Sequence, residues 1–368
     1  MRRKPAGRRV LIAGGGTGGH VYPGLSIGKE LRRRYPDSEL LFVGTERGLE
    51  NRVIPGEGFR LERITVAGLK GMAPRRLVKN ALALPKGMWQ ALRLIRQFDP
   101  NVVIGVGGYS SGPPVLAAAL MGIPALLQEQ NASPGLTNRI LGRFVNKVAA
   151  GFEEARAYFG SKTIVTGNPV RADFARVLPK EKGTPFTILI FGGSQGAQAI
   201  NAAVVAAAKN LPDGSTAIRW IHQTGEHDFD HVRADYLAAG VPADVRPFFD
   251  DMAQQFARAD LLICRAGAIT LAEICAAGKA AILIPFPQAT DDHQRKNAEA
   301  LVQAKAAELI LQQNLNGPGL AQRIRYYYEH PAALKTMEQN SRALGKPDAT
   351  ERIVNLVAQL AGYTATGT

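Results

Sequence analysis

Between Ala13 and Pro23 the chain reads Ala-Gly-Gly-Gly-Thr-Gly-Gly-His-Val-Tyr-Pro, directly after the apolar run Val10-Leu11-Ile12. Glycine lacks a Cβ, so such a loop can turn with positive φ and let a bulky polar group approach the N–H groups that open the next helix. His20 stands at the mouth of this loop with a titratable ring, suited to taking a proton from a hydroxyl. Gly14, Gly16 and Gly19 also satisfy Gly-x-Gly-x-x-Gly. The ribose-binding acid of a dinucleotide site is expected about 20 residues further on, and Glu46 sits late enough to leave that reading open. Two more glycine loops follow strand-like runs: Gly107-Gly108-Tyr109-Ser110-Ser111-Gly112-Pro113 and Gly192-Gly193-Ser194-Gln195-Gly196-Ala197. One such loop is readily a packing turn, but three favour an anionic ligand, or two ligands, in a shared cleft.

The run Leu261-Leu262-Ile263-Cys264-Arg265 leads into Ala266-Gly267-Ala268-Ile269-Thr270-Leu271-Ala272-Glu273-Ile274. Small residues open a helix whose first-turn N–H groups suit an anion. Glu273 can accept both hydroxyls of a ribose or merely complement the helix dipole. Gln288, Asp291, Asp292, His293 and Gln294 follow the strand-like run 280–286 and can grip sugar hydroxyls or simply start a solvated helix. Asp228 and Asp230, with His227 and His231 at helical spacing, raise a metal-dependent alternative, against which stands an ordinary exposed helix start. The stretch Pro74–Trp89, with Arg93 and Arg96 after it, sets bases among Leu77, Leu84, Met88 and Trp89. It reads as an interfacial surface for an anionic leaflet or as an amphipathic helix with a buried stripe.

These residues need elements to hold them. Strand-like runs fall at 9–14, 39–44, 60–66, 101–107, 124–130, 147–152 and 163–167, and again at 187–193, 216–222, 245–249, 261–265, 280–286 and 306–311. Helix-length amphipathic segments between them imply right-handed βαβ units and parallel sheets. The expected fold class is α/β, two doubly wound parallel-sheet (Rossmann-like) domains facing a cleft, with ligands off the carboxyl ends of the strands. The break is placed near Asn168-Pro169-Val170-Arg171. This gives a domain over 8–170, a second over 171–346, and a C-terminal helix, 347–362, packing back on the first.

The 368 residues carry 45 Lys and Arg against 31 Asp and Glu, a net charge of +14. No zinc-finger, RNA-recognition or helix-turn-helix signature accompanies that charge, so a diphosphate substrate or an anionic membrane surface is expected rather than nucleic acid. Cys264 and Cys275 both lie in apolar segments, which fits a reducing compartment. The basic residues 1–9 precede too short an apolar run for a signal peptide, and no stretch reaches transmembrane length. The expectation is a cytosolic or membrane-peripheral protein.

Taken together, the motifs resemble the MurG family. The resemblance rests on Gly14–His20, Gly107-Gly108-Tyr109, Gln128-Glu129-Gln130-Asn131, Gly167-Asn168-Pro169-Val170-Arg171, Gly192–Ala197, His222-Gln223-Thr224-Gly225, the Glu273 segment and Pro347–Arg352, in that order, and runs from about Arg8 to Leu360. It implies a GT-B fold and an inverting, metal-independent and cofactor-free transfer of N-acetylglucosamine. The donor is UDP-N-acetylglucosamine, bound mostly by the second domain; the acceptor is undecaprenyl-linked muramoylpentapeptide, held by the first. The reaction would take place on the cytoplasmic side of the plasma membrane, in peptidoglycan synthesis. By the same resemblance Thr17, Gly18 and Gly19 approach the donor, and Asn131 and Gln294 contact its sugar. Arg171 and Ser194 serve the diphosphate and nucleotide, the backbone of Ala268, Ile269, Thr270, Leu271 and Ala272 cradles the diphosphate, Glu273 holds the ribose, and Phe249 lies beside the uracil. His20 is the candidate base. Rival readings are a UDP-N-acetylglucosamine 2-epimerase, a transferase to another membrane lipid, a nicotinamide oxidoreductase and a non-catalytic membrane-binding module.

Overall fold

A computed structural model describes residues 7–66, 74–178, 180, 185–211 and 217–363, residues 74–84 through their backbone alone. The chain divides into two compact units, Met1–Pro169 with Asp348–Thr368, and Val170–Pro347.

The first unit is built on β1 (Arg9–Ala13), β2 (Glu39–Gly44), β3 (Arg60–Arg63), β4 (Val102–Gly105), β5 (Ala125–Glu129), β6 (Lys147–Ala150) and β7 (Thr163–Val165). They form one sheet in the order β3-β2-β1-β4-β5-β6-β7 with every pairing parallel. Successive side chains of a strand point to opposite faces, and both faces are buried here. Val10, Ile12, Val102, Ile104 and Leu126 belong to one core, while Leu11, Ala13, Val103, Ala125 and Leu127 belong to the other. The helices that matter below are α1 (Gly18–Arg34), α2 (Glu50–Gly56), α3 (Pro74–Phe98), α4 (Gly112–Leu120) and α5 (Leu136–Leu141).

The second unit repeats the scheme with β8 (Phe186–Phe191), β9 (Ile218–Gln223), β10 (Ala243–Arg246), β11 (Leu261–Cys264), β12 (Ala280–Leu283) and β13 (Glu308–Leu309), ordered β10-β9-β8-β11-β12-β13 and again parallel throughout. Its helices include α6 (Gln198–Lys209), α7 (Ala268–Ala277) and α8 (His293–Gln303). The last helix, α9 (Ala349–Ala361), returns to the first unit, where Ile353, Val354, Val357 and Ala361 join the core of Val10 and Ile12. Arg34 donates to Asn355 Oδ1 at 2.6 Å, and Tyr363 meets Tyr35 edge-on, their ring centroids 5.5 Å apart.

All the strand-like runs are strands, but several are shorter than the apolar runs that announced them. The run 101–107 stops at Gly105, because Gly107 and Gly108 turn with φ of +91° and +77°. The run 245–249 pairs over Ala243–Arg246 and stops where Pro247, without an N–H, cannot extend the ladder. No helix among the described residues is long and apolar enough to cross a membrane.

Candidate active site

In each unit the singled-out residues gather where parallel strands end. In the first unit β1 hands over to the Gly14–Gly19 loop and then to α1, whose N-cap is Thr17 in extended conformation. The Thr17 carbonyl accepts the N–H groups of His20 and Val21, both at 3.1 Å. Thr17 Oγ1 lies 3.5 Å from His20 Nδ1. The His20 ring lies against the loop that follows β4: a Cβ on Gly107 would come within 2.6 Å of His20 Cδ2, and one on Gly108 within 2.6 Å of the Gly15 carbonyl oxygen. The middle glycine loop is thus a seat for the first loop and for His20. Gly107 and Gly108 therefore have the packing reason that was weighed against a ligand role for this loop. Glu46, weighed as a ribose-binding acid, is exposed.

Beneath this end of the sheet runs a buried polar network. Asn168 accepts from Gln128 Nε2 at 2.9 Å and donates to the Gln130 carbonyl at 2.8 Å; Gln130 Nε2 in turn donates to Gln128 Oε1 and to the Val106 carbonyl. Glu129, 1% exposed, accepts from the Asn131 N–H at 2.9 Å, the Asn131 amide at 3.3 Å and Asn138 Nδ2 at 2.8 Å. Burial pushes the Glu129 carboxyl above its usual range, against the pull of these donors. Asn131 is therefore aimed by a carboxylate that the sequence motif contains but to which no role had been given.

In the second unit β11 leads through Gly267, the extended N-cap, into α7. Arg171 Nε donates to Glu273 Oε1 at 3.0 Å; the arginine side chain is 49% exposed and the glutamate 12%. Burial raises the Glu273 carboxyl, and Arg171 opposes that rise. The Arg171 guanidinium also lies over the Phe174 ring, 4.5 Å from its centroid. The exposed Ser194 sits in the loop after β8. Gly196 in that loop has φ +76° and leaves room for the Thr224 carbonyl, so this loop too has a packing reason. Gln223, at the end of β9, is 2% exposed and ties two parts of the site together. Its Nε2 donates to the Gly193 carbonyl at 3.1 Å and its Oε1 accepts the Phe249 N–H at 3.0 Å.

Phe249 is 2% exposed, with Arg246 over its ring at 5.0 Å, whereas the neighbouring Phe248 is 53% exposed. The Phe249 ring is packed into the core. After β12, Asp291 and Asp292 adopt φ of +55° and +54°, a left-handed pair rare in non-glycine residues. Gln294 Oε1 accepts the Phe286 N–H at 3.0 Å, and His293 Nδ1 bonds the Thr290 carbonyl at 2.6 Å.

The metal alternative finds no cluster. Asp228 accepts from Asn201 Nδ2 at 2.9 Å and pairs with His227, while His231 pairs with Asp235. Among the described residues no three His, Cys, Asp or Glu side chains gather to hold a metal ion.

Two parallel α/β units with polar residues at the strand ends fit the GT-B class, and sequence comparison makes the chain a glycosyltransferase. Residues 10–150 match the glycosyltransferase family 28 N-terminal domain and residues 187–353 the family 28 C-terminal domain. The UDP-N-acetylglucosamine--N-acetylmuramyl-(pentapeptide) pyrophosphoryl-undecaprenol N-acetylglucosamine transferase of Myxococcus xanthus is 47% identical over 96% of this chain and 93% of its own length. Its counterpart in Syntrophus aciditrophicus is 50% identical over 94% of this chain and 97% of its own length. The structure of Acinetobacter baumannii MurG superposes with a TM-score of 0.80 at 33% identity, over 96% of this chain and 99% of that one. A UDP-GlcNAc 2-epimerase from Neisseria meningitidis, at 14% identity and a TM-score of 0.66, shares the fold over 95% of this chain and 99% of its own. The chain belongs to the MurG family.

Proposed function

We propose that this glycosyltransferase moves N-acetylglucosamine from UDP-N-acetylglucosamine to the C4 hydroxyl of the muramoyl sugar of undecaprenyl-diphospho-muramoylpentapeptide, forming a β-1,4 link in peptidoglycan synthesis. The observation that carries the reading is the Glu273 carboxylate on α7, enclosed beside Arg171 in a chain nearly half identical to transferases of that name. The second unit takes the donor. Glu273 accepts the ribose hydroxyls, and the first turn of α7 (Ala268 to Ala272) with Arg171 and Ser194 receives the diphosphate. Gln294 and Asn131 meet the sugar, Thr17, Gly18 and Gly19 approach the donor, and the Phe249 backbone meets the uracil.

The acceptor oxygen attacks the anomeric carbon as the bond to the diphosphate breaks, inverting the α-linked donor to a β product. His20 takes the hydroxyl proton; a positioned imidazole contributes about 10²–10⁴-fold. Charge on the departing UDP is met by helix N–H dipoles and Arg171, so neither metal nor cofactor enters the step.

The first unit takes the lipid-linked acceptor at an anionic membrane surface, and nucleic acid is not a partner. Leu136 and Ile140, one turn apart on α5, and Phe144 just beyond are 58%, 47% and 50% exposed, with the exposed Arg143 among them. Trp89 on α3 is 60% exposed beside Arg93; the side chains of 74–84, the rest of that basic and apolar stretch, lie outside the described residues. Apolar groups with neighbouring bases suit a peripheral site on an anionic leaflet, at about 1 kcal/mol per base.

The test is labelled UDP-N-acetylglucosamine with a short-chain lipid-linked muramoylpentapeptide, with and without EDTA. Disaccharide product at equal rates in both is expected. UDP-N-acetylmannosamine from donor alone would make the protein an epimerase, and loss of rate on chelation restored by Mn²⁺ would return Asp228 and Asp230 to the site.

A further inference from the structure

Glu50, the first residue of α2, is 1% exposed and lies beneath the Gly14–His20 loop, in a position that no sequence motif marks. Its Oε2 accepts the Gly16 N–H at 2.8 Å; its Oε1 accepts the Thr45 N–H at 3.0 Å and lies 2.9 Å from Thr45 Oγ1. Three glycines make room for this carboxylate, Gly15 from the loop after β1, Gly44 from the end of β2 and Gly48 from the turn just ahead of α2. A Cβ on Gly44 would come within 2.6 Å of Glu50 Cγ, and a Cβ on Gly15 or Gly48 would overlap the carboxylate itself. Burial alone would raise the Glu50 carboxyl, but the N–H groups of Thr45, Gly16 and Glu50 itself and the Thr45 hydroxyl together outweigh it and hold it below its usual value. The group is an anion at neutral pH.

The Gly16 N–H, which a glycine loop would ordinarily offer to a ligand phosphate, is thus occupied by the protein's own carboxylate. The N–H groups of His20 and Val21 are engaged by the Thr17 carbonyl. Glu50 and His20 also line one small cavity under the loop, together with Gly14, Val21 and Val106. A buried charge held by N–H donors keeps those donors in place, because displacing them would leave it unpaired. We infer that Glu50 is a positioning residue, an internal anion that fixes the glycine loop through Gly16 and so sets where Thr17 and His20 stand toward the acceptor hydroxyl. The catalytic part of this inference rests on the proposed role of His20.

Glu50→Gln keeps the shape but puts an NH2 group against one of the N–H donors. The full-length enzyme carrying it is expected to lose about 10- to 100-fold in kcat, with the KM for UDP-N-acetylglucosamine within about twofold. Amide hydrogen exchange across 14–20 is expected to quicken while exchange across the second unit stays unchanged. Gly48→Ala, which crowds the same carboxylate, is expected to give the same pattern, and the double variant to lose no more than the worse single one. Wild-type kcat and loop exchange in Glu50→Gln would overturn the inference, as would losses that multiply in the double variant. Loop exchange is read without catalysis, so an active His20→Ala enzyme would remove the base while leaving the placement by Glu50 to be judged on exchange.

Discussion

Arg171 and Glu273 are each other's partner: the guanidinium Nε meets the carboxylate at 3.0 Å, with the arginine open to solvent and the glutamate nearly enclosed. Two residues assigned to neighbouring parts of one nucleotide are therefore coupled before a nucleotide arrives: burial raises the Glu273 carboxyl and Arg171 opposes that rise.

With Glu273 in its proposed ribose role, this coupling is expected to make donor binding pH-dependent. A protonated Glu273 accepts ribose hydroxyls poorly, so UDP affinity weakens as pH falls. Arg171→Ala removes the group that opposes the burial effect, and the weakening is expected to begin at a higher pH than in the wild type. Calorimetric titration with UDP between pH 5 and 8 measures it; superimposable profiles would separate the two residues.

His20→Ala is expected to lower kcat by about 10²–10⁴-fold and to leave the donor KM close to wild type. Its ring sits against Gly107 and Gly108 within the first unit. Steady-state kinetics with both substrates varied checks this.

Glu129→Ala leaves the Asn131 N–H and the Asn138 amide without their buried acceptor. The expected destabilisation is about 1–3 kcal/mol, read from urea unfolding. A larger donor KM should accompany it, because Asn131 loses its aim. Asn131→Ala should reproduce the kinetic defect with less loss of stability.

Lys279, 1% exposed, donates to the Ala259 carbonyl at 2.9 Å at the far end of the second sheet, and burial depresses its ammonium from 10.5 to about 8. Below pH 8 folded and unfolded chains both hold the proton, and the group gives no pH dependence. Between about 8 and 10.5 only the unfolded chain keeps it, so this lysine makes stability rise with pH. Relative to Lys279→Met, the wild type should gain stability between pH 8 and 10, as denaturant midpoints at each pH would register.

Replacing Ile140 and Phe144 together with Ser is expected to reduce co-sedimentation with phosphatidylglycerol vesicles several-fold, and added salt should weaken wild-type binding as well. Turnover of a soluble acceptor should not change. Equal sedimentation of variant and wild type would move the membrane contact away from α5.

Near-continuous apolar runs and the glycines that end them made the sheets legible in the sequence, since a parallel strand covered on both faces is apolar at nearly every position. Sheet order was less so: β1 sits in the middle of its sheet, between β2 and β4, through contacts that no local pattern records. Local motifs marked His20, Arg171 and Glu273. The groups that hold them stayed hidden for a common reason. Glu50 meets Gly15 and Gly16 from the distant loop after β1, Gln223 joins Gly193 to Phe249, and the Glu129 carboxyl matters because Asn131 and Asn138 both donate to it. The burial of the Phe249 ring was not legible, because an aromatic near a strand end reads alike whether it faces a ligand or the core.

Because α9 fills the core around Val10 and Ile12, the two units cannot mature in the order in which they are translated. The second unit is one uninterrupted stretch and can complete its interior while the ribosome is still adding the tail. The first must wait, with its oldest strand partly uncovered, until Ile353, Val354 and Val357 emerge. A fragment that stops at Pro347 should therefore be a sticky, chaperone-dependent product, although every site residue discussed above is present in it.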